Sequence, residues 1–344
     1  MLWQEMKKIL KRRIVLVIFT SIFLLLIIGE MYYGSYQLSN YENMQKEIEL
    51  LEKYKGKLTD ERMEAFWEEY YQIFPNEEYI SNLTIYPDDW SEHPSVEELF
   101  PDITFPITFG NAWSWVDALI SYSTYIKYIP IFIVAAFAPL FSHERDCGML
   151  SVLLGCKNGR EKCTRSKVSA AFLITNLLFL IVTVLSFVRL FLLAGSAGYD
   201  TSIQIWQNVF GNCQIDITFG GLAIHSIISS FLAINLILLL VLCAAFRAKN
   251  PLAVMGVSIG LLYVLRTDII SVIFQNLAAD RIVSLLPLNV VDTINSASNL
   301  SFLTIGNIQI PWMNILEIIY VVLVIAVSIF FFRVVAGRKK YYSL

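Results

Sequence analysis

Six long apolar runs restrict the fold of this chain more than any other feature of its sequence. Each run has about 20 residues, the length at which an α-helix crosses a hydrocarbon core of about 30 Å. The runs are continuously apolar and do not alternate with polar residues, so an outer-membrane β-barrel is excluded. We predict an all-α integral membrane protein with six transmembrane helices, at residues 14–34, 117–141, 168–194, 222–246, 251–275 and 312–335.

The composition agrees with a membrane protein. Of the 344 residues, 56% are hydrophobic and only 16% are charged, whereas soluble domains have about 25% charged residues. A soluble enzyme, an extracellular disulfide scaffold and a disordered tail are therefore excluded. The five cysteines are not spaced as ligands of a zinc site and imply no disulfide framework.

The basic residues are unevenly distributed, which predicts the orientation of the spans. Seventeen of the 26 Lys and Arg residues lie in or next to four segments: 1–13, 142–167, 247–250 and 336–344. The segment 195–221 has none. Because cytoplasmic loops are enriched in Lys and Arg, we predict that these four segments and both termini are cytoplasmic. The expected location is a bacterial plasma membrane, in which residues 195–221 form an extracellular loop.

The segment 1–13 is predicted to be an amphipathic interface helix. Its apolar residues recur at helical spacing on one face, and its lysines lie mostly on the other face. We expect this helix to lie on the inner membrane surface, with the lysines toward anionic headgroups. The alternative is a basic flank without fixed structure, which only helps to set the orientation of the first span.

Residues 35–116 are predicted to form an acidic, α-helical extracellular domain between the first two spans. This segment has 17 acidic and five basic residues. Its first half has the periodicity of a helical hairpin, with Gly56 in the turn and Thr59 as an N-cap. In its second half, Ser95 and Glu98 fit a capping box. We interpret the acidity as a solvated face, and attraction of a cationic substrate or Ca²⁺ is the alternative.

The segment that follows the second span carries the most specific pattern in the chain. Residues 141–167 read FSHERDCGMLSVLLGCKNGREKCTRSK. This segment resembles the corresponding loop of the ABC-2 permeases, the membrane subunits of type 2 ABC exporters. The resemblance is carried by residues that match the family pattern without a gap: Phe141, Ser142, Glu144, Gly148, Leu153, Leu154, Gly155, Arg160 and Lys167. One departure is Lys157, at a position where the family often has proline.

The resemblance implies the membrane-spanning permease subunit of an ATP-driven exporter, which moves a peptide, drug or lipid-like substrate outward. It also implies that residues 142–167 form the coupling loop, which docks a cytoplasmic ATPase subunit. The residues expected at this docking site are Glu144, Gly148, Leu153, Leu154, Arg160 and Lys167. A second permease chain, as a homodimer or heterodimer, is the other expected protein partner besides the lipid bilayer. No nucleic acid is expected to bind.

The chain is not expected to be an enzyme by itself. A transporter that hydrolyses ATP cradles the phosphates in a Gly-rich loop with a lysine, and no G-x-x-x-x-G-K-[ST] pattern occurs in this sequence. ATP and Mg²⁺ therefore belong to the partner subunit. We expect no catalytic residues, no metal site and no bound cofactor in this chain.

The fifth span and the segment after it are irregular. Arg266 and Asp268 interrupt the apolar run at 251–275, and Pro287 and Asn289 follow in the segment 276–311. Such a stretch is tolerated in a membrane only where it is buried in protein or lines a cavity. The resemblance implies a re-entrant helical hairpin in the outer leaflet. We predict that these four residues close an outer gate, or alternatively contact substrate. His225 and Glu317 are expected near outer span ends, at the membrane interface.

Three other functions remain possible from the sequence. One is an ABC-coupled sensor or immunity protein, which detects an extracellular peptide without transporting it. Another is an ABC-type sodium efflux permease. A membrane-embedded enzyme is the third, although no acid/base or metal constellation lies within the spans to favour it.

Overall fold

The computed structural model describes residues 1–39, 41–74, 95–101, 103–142, 159–193, 195–210, 213–248, 250–264, 277–291, 294, 302–305 and 308–337. Its helices in chain order are α1 (Leu2–Leu10), α2 (Arg13–Ser39), α3 (Tyr41–Lys53), α4 (Asp60–Ile73), α5 (Val96–Leu99), α6 (Trp113–Ile126), α7 (Tyr128–Phe137), α8 (Gly159–Leu193), α9 (Gln207–Phe210), α10 (Phe219–Arg247), α11 (Pro251–Val264), α12 (Leu277–Ser284), α13 (Pro287–Val291) and α14 (Trp312–Gly337). A 3-10 turn spans Ile203–Ile205.

The strands form two small antiparallel pairs. Strand β1 (Gly56–Lys57) pairs with β2 (Thr108–Phe109), so that Gly56 lies opposite Phe109. Strand β3 (Phe302–Ile305) pairs with β4 (Ile308–Pro311), and α14 begins directly after it.

Four helices within the described residues are long and apolar enough to cross a membrane. They span Ser114–Phe137, Lys162–Leu192, Phe219–Arg247 and Trp312–Arg333. A fifth candidate is the bent pair formed by Leu2–Leu10 and Arg13–Gly29, which meet at 77°. The prediction of an α-helical membrane protein is therefore confirmed at this level. The count of six stays a prediction, because the predicted fifth span continues from α11 into residues 265–276, outside the described ranges.

The helices α6 and α7 form the centre of the bundle. They continue into each other through Lys127, which keeps helical backbone angles (φ −64°, ψ −17°). In the most apolar stretch of this helix pair, 72% of the residues are buried inside the protein. The corresponding share in α14 is 17%. The helix formed by α6 and α7 begins at Trp113 and ends at Phe137, so both of its ends come four residues before those of the predicted span 117–141. Pro139, two residues further on, has no N–H group to continue the helical hydrogen bonds.

The segment that precedes α6 and the segment between α8 and α10 pack into one folded unit, which we call the cap. It consists of the described residues between 41 and 112 together with those between 195 and 218. Thr108 and Ser202 join the two parts: the Thr108 N–H donates to Ser202 Oγ at 2.8 Å, and the Ser202 N–H donates to the Thr108 carbonyl at 3.0 Å. The Lys55 ammonium also forms an ion pair with Asp200 at 2.8 Å. Residues 195–218, predicted only as a loop, are thus part of the cap.

The local signals in the first part of the cap are confirmed. The Thr59 hydroxyl accepts a hydrogen bond from the Arg62 N–H at 3.3 Å and caps α4. Ser95 and Glu98 form the predicted capping box, with distances of 3.2 and 2.9 Å. Gly56 lies between α3 and α4 with φ +137°, a conformation that disfavours residues with a side chain.

Gly198 lies in close contact with the first part of the cap. Its φ is +81°, and an added Cβ would lie 1.7 Å from the Asn111 carbonyl oxygen. Gly195 has φ +61°, but an added Cβ would meet nothing within 4 Å. The two glycines therefore share the conformational requirement and differ in packing.

We expect Gly198→Ala to destabilise the cap by about 1–3 kcal/mol more than Gly195→Ala, because only Gly198→Ala forces backbone atoms apart. Amide hydrogen exchange of residues 41–74 in the full-length protein measures this difference. Equal exchange rates in the two variants would contradict the close contact at Asn111.

Candidate functional site

The predicted docking segment 142–167 lies mostly outside the described residues. Glu144, Gly148, Leu153 and Leu154 fall in the range 143–158, which the structure does not describe. Arg160 lies in the first turn of α8, and its side chain is likewise outside the description. Lys167, on the second turn beyond it, is the predicted docking residue whose side-chain contacts are described.

Lys167 lies at the base of the segment and is buried, with 3% of its surface exposed. Its ammonium donates to the Leu140 carbonyl at 3.4 Å and lies 5.6 Å from the centre of the Phe141 ring. A buried ammonium needs such partners, because unpaired charge is costly in an apolar interior. These contacts hold the start of α8 against the end of α7. The two ends of the predicted docking segment 142–167 therefore lie beside each other, at what we call the loop end of the bundle.

An aromatic cluster at the loop end joins the end of α7 to two further helix ends. The Phe141 and Phe246 ring centres are 5.2 Å apart, and those of Phe246 and Phe331 are 6.4 Å apart. The Arg247 guanidinium lies 5.2 Å from the centre of the Phe330 ring. The ends of α7, α10 and α14 are thus packed together, and closely packed side chains transmit strain.

The N-terminal helix α1 also lies at the loop end. It packs along α8, with Ile9 only 1% exposed. Glu5, at 5% exposed, forms an ion pair with Lys8 at 2.7 Å. The Arg12 guanidinium donates to the Ala136 carbonyl of α7 at 3.2 Å. Trp3 is 62% exposed on the opposite side. Helix α1 therefore packs on α8, and Arg12 in the turn after it contacts α7.

The opposite end of the bundle holds two of the four predicted gate residues. Pro287 begins the short helix α13, and the Asn289 amide donates to the Val283 carbonyl at 2.7 Å. Arg266 and Asp268 lie in the range 265–276, outside the described residues. The Asn289 contact folds α13 back onto α12.

Three further hydrogen bonds fasten the segment 277–291 to its neighbours. The Trp312 indole donates to Ser284 Oγ at 2.9 Å, and the Tyr320 hydroxyl donates to the Leu285 carbonyl at 2.7 Å. From α10, the Ser230 hydroxyl donates to the Val291 carbonyl at 3.4 Å. The predicted gate segment therefore bridges α10 and α14 at this end.

A pair of ionisable residues within the spans was not predicted. His225 on α10 and Glu317 on α14 were expected separately at the membrane interface, yet His225 Nδ1 lies 2.8 Å from Glu317 Oε1. The Ser229 hydroxyl donates to the same oxygen at 3.2 Å. One signal for this pair was present in the sequence, since both residues fall at a similar depth from the predicted outer ends of their spans.

A second polar pair joins α8 to α10. The Asn176 and Asn235 side-chain amides donate to each other's oxygen, with distances of 3.2 and 3.4 Å. Each amide also donates to the carbonyl four residues earlier in its own helix, at 2.9 and 2.8 Å. Such amide pairs satisfy polar groups between spans and fix the register of the two helices.

Hydrogen bonds in the cap favour the charged forms of Glu69 and Lys55. Hydrogen bonds from Lys53 and Tyr54, each at 2.7 Å, lower the pKa of Glu69. The hydrogen bond to Asp200 raises the pKa of Lys55. Burial raises the pKa of the Cys213 thiol, which keeps it in its unreactive protonated form. The charged contacts link α3 to α4, and the turn after α3 to the segment 195–218.

Over the described ranges, no group of three or more His, Cys, Asp or Glu side chains is placed to hold a metal ion. Comparisons with known protein families, with curated proteins and with solved structures found no match to this chain.

Proposed function

We propose that this chain is the membrane-spanning permease subunit of an ATP-driven ABC exporter of the ABC-2 type. In this proposal, residues 142–167 dock a separate cytoplasmic ATPase, and the substrate is a peptide, drug or lipid-like molecule that moves outward. The observation that carries the proposal is the resemblance of this basic segment to the docking loop of such permeases. The anchoring of its two ends at the loop end, through Lys167, supports the same conclusion.

The proposal includes a topology of six spans. The helices α2, α6–α7, α8, α10 and α14 supply five spans, and α11 begins the remaining one. The loop end and both termini face the cytoplasm of a bacterial cell, and the cap lies outside. This orientation follows from the positions of the Lys and Arg residues.

The contacts at the loop end support a route by which an ATPase acts on the spans. A force on the segment 143–158 acts first on the end of α7 and the start of α8, which Lys167 joins. It reaches α1 through its packing on α8, and α10 and α14 through the Phe141, Phe246 and Phe331 rings. The same α10 and α14 hold the segment 277–291 at the other end. ATP binding by the partner is thereby coupled to the predicted outer gate.

The exposed apolar surface of α14 supports a second permease chain as a partner. Ile318, Val322 and Ile325 on this helix are 63%, 59% and 53% exposed. A single bundle leaves only a narrow seam between its helices, and a path for a peptide or lipid needs a second bundle. We therefore propose a homodimer or a heterodimer with a related permease, and lipid covers the apolar surface that remains.

The cap favours a second candidate function, an ABC-coupled sensor that binds an extracellular peptide without transporting it. The cap has its own aromatic core around Phe66 and is joined to the bundle where α6 begins, through the Trp115 indole and the Ala197 carbonyl at 2.8 Å. A sensor and an exporter would use the same ATPase contact, so only a transport measurement separates them.

Charge reversal tests the docking segment. We expect Glu144→Lys and Arg160→Glu each to reduce co-purification of the ATPase by about tenfold or more, because charge-paired contacts at an interface become repulsive when one charge is reversed. Membrane insertion should be unchanged. Lys46→Glu, at an exposed position on α3 in the cap, is the matched control and should retain the ATPase. Full retention of the ATPase by both docking variants would overturn the assignment.

Reconstitution separates the exporter from the sensor. Proteoliposomes that contain the complete complex should show substrate-dependent ATP hydrolysis and ATP-dependent movement of that substrate across the membrane. Substrate-stimulated hydrolysis without any movement would favour the sensor.

A further inference from the structure

The pair formed by His225 and Glu317 lies inside the spans and has no role in the proposed docking mechanism. At 1.5 Å per residue, His225 is about 9 Å from the start of α10 and Glu317 is about 8 Å from the start of α14. Glu317 Oε1 contacts both His225 Nδ1 at 2.8 Å and the Ser229 hydroxyl at 3.2 Å. The two ionisable side chains are 30% and 17% exposed. The carboxylate is thus placed by two groups from the neighbouring helix.

The charge of this pair depends on a single proton. While this titratable proton is bound, the pair is either an imidazolium with a carboxylate or a neutral imidazole with a carboxylic acid. Its net charge is zero in both forms. Without that proton, its net charge is −1. A net charge among apolar spans is strongly disfavoured, so the surroundings favour the form that holds the proton. Because the two groups are in direct contact, the proton belongs to the pair rather than to one residue.

Other ionisable groups on the neighbouring elements have contacts of their own. The Tyr320 hydroxyl of α14 donates to Leu285, and the Arg281 guanidinium of α12 lies over the Trp312 ring and donates to the Phe302 carbonyl. Other ionisable groups near this end include Asp117 and Tyr122 on α6, Tyr199, the exposed Asp200 and Asp216 before α10, and Arg189 on α8 and Asp280 on α12, whose side chains are not described. The Tyr122 hydroxyl lies near Thr183 and Ser230. Arg266 and Asp268 fall outside the described residues.

We propose that His225, Glu317 and Ser229 form a proton-binding site that fastens α10 to α14 while the proton is bound. The proton is taken from water and lies between His225 Nδ1 and Glu317 Oε1. Its release returns it to water and leaves the pair with one negative charge. The contact between the two spans is then weaker, because the remaining charge is stabilised by hydration.

The position of the site connects it to the segment 277–291. Ser230, next to Ser229, donates to Val291, and Tyr320, one turn after Glu317, donates to Leu285. A change in the contact between α10 and α14 therefore alters the spacing of the two helices that hold this segment. This consequence does not depend on any ATPase partner.

Histidine labelling tests the site directly, since the chain has only three histidines. The full-length protein is prepared in lipid nanodiscs with ring-¹⁵N histidine, and His225 is identified by the signal lost in His225→Gln. We expect the titration curve of His225 to differ between the wild type and Glu317→Gln. The curves of His93 and His143 should superimpose in both proteins. Glu64→Gln, which removes an exposed carboxylate on α4, should leave all three curves unchanged.

Thermal unfolding provides a second measurement on the same proteins. The bound proton stabilises the contact, so the wild-type melting temperature should be higher at pH 6 than at pH 8.5. Glu317→Gln is neutral at every pH and still accepts the Ser229 hydrogen bond, so this part of the pH dependence should disappear. Identical His225 titration curves in the wild type and Glu317→Gln, or an equal pH dependence of their melting temperatures, would overturn the proposal.

Discussion

Replacing Phe66 with alanine is expected to unfold the cap locally while the membrane spans stay intact. Phe66 is fully buried, and its ring packs against four others, with ring centres 5.0–5.8 Å away: Tyr54, Trp67, Tyr70 and Phe109. Removing a buried aromatic ring costs about 3–5 kcal/mol, because the burial is lost and a cavity remains. Amide exchange of α3 and α4 in the full-length protein should accelerate by about 100-fold or more.

Tyr71 provides the matched control for this substitution. It lies on the same helix as Phe66 and is 45% exposed. Tyr71→Ala should change exchange in α3 and α4 by less than about tenfold, because a half-exposed ring leaves no cavity. If both variants exchange at the wild-type rate, Phe66 does not stabilise the cap, and the aromatic core described around it is wrong.

The second prediction with a large effect is that the cap and the loop end lie on opposite sides of the membrane. Each position should therefore either react or fail to react with an impermeant reagent in intact cells. In a background where the five native cysteines are replaced by serine, we expect Glu49→Cys to react with an impermeant maleimide in intact cells. Lys162→Cys should react only after the membrane is permeabilised. Both positions are exposed, Glu49 on α3 of the cap and Lys162 near the start of α8. The distribution of Lys and Arg predicts this orientation.

Both cysteine variants are also labelled after solubilisation in detergent, which controls for their reactivity. Labelling of Lys162→Cys in intact cells, with protection of Glu49→Cys, would reverse the topology. Labelling of both variants in intact cells would place the cap and the loop end on the same side, and would contradict the proposed number of spans.

Features that depend on neighbouring residues in the chain were predictable from the sequence. Apolar length predicts a membrane helix at 222–246, and the structure has α10 at Phe219–Arg247. The Thr59 cap and the Ser95–Glu98 capping box each use groups three residues apart, and both form as predicted. These signals are local because the hydrogen bonds close within one helical turn.

Features that depend on contacts between distant segments were not predictable in the same way. His225 and Glu317 are 92 residues apart, and Asn176 and Asn235 are 59 apart. A polar residue in an apolar run indicates that it has a partner, but without knowing which helices are neighbours the partner stays undetermined. The joining of the two parts of the cap depends on the hydrogen bonds between Thr108 and Ser202, and no local pattern predicts them.

The candidate docking site likewise combines a feature predicted from the local sequence with one that depends on contacts between distant segments. The pattern in residues 141–167 predicted its place between two spans, and the structure adds that Lys167 is buried against Leu140 and Phe141. Lysines in a basic loop are usually solvated, so no sequence pattern distinguishes Lys167 from its exposed neighbours. The burial depends on how closely α7 and α8 approach.

Native mass spectrometry of the complex from its own membranes tests the central proposal most directly. No G-x-x-x-x-G-K-[ST] pattern occurs in this sequence, and the proposed exporter therefore includes a separate subunit that binds ATP. We predict an assembly of two permease chains and two ATP-binding subunits, from which Arg160→Glu releases the ATP-binding subunits. A single copy of this chain, or an assembly with no ATP-binding subunit, would contradict the proposal.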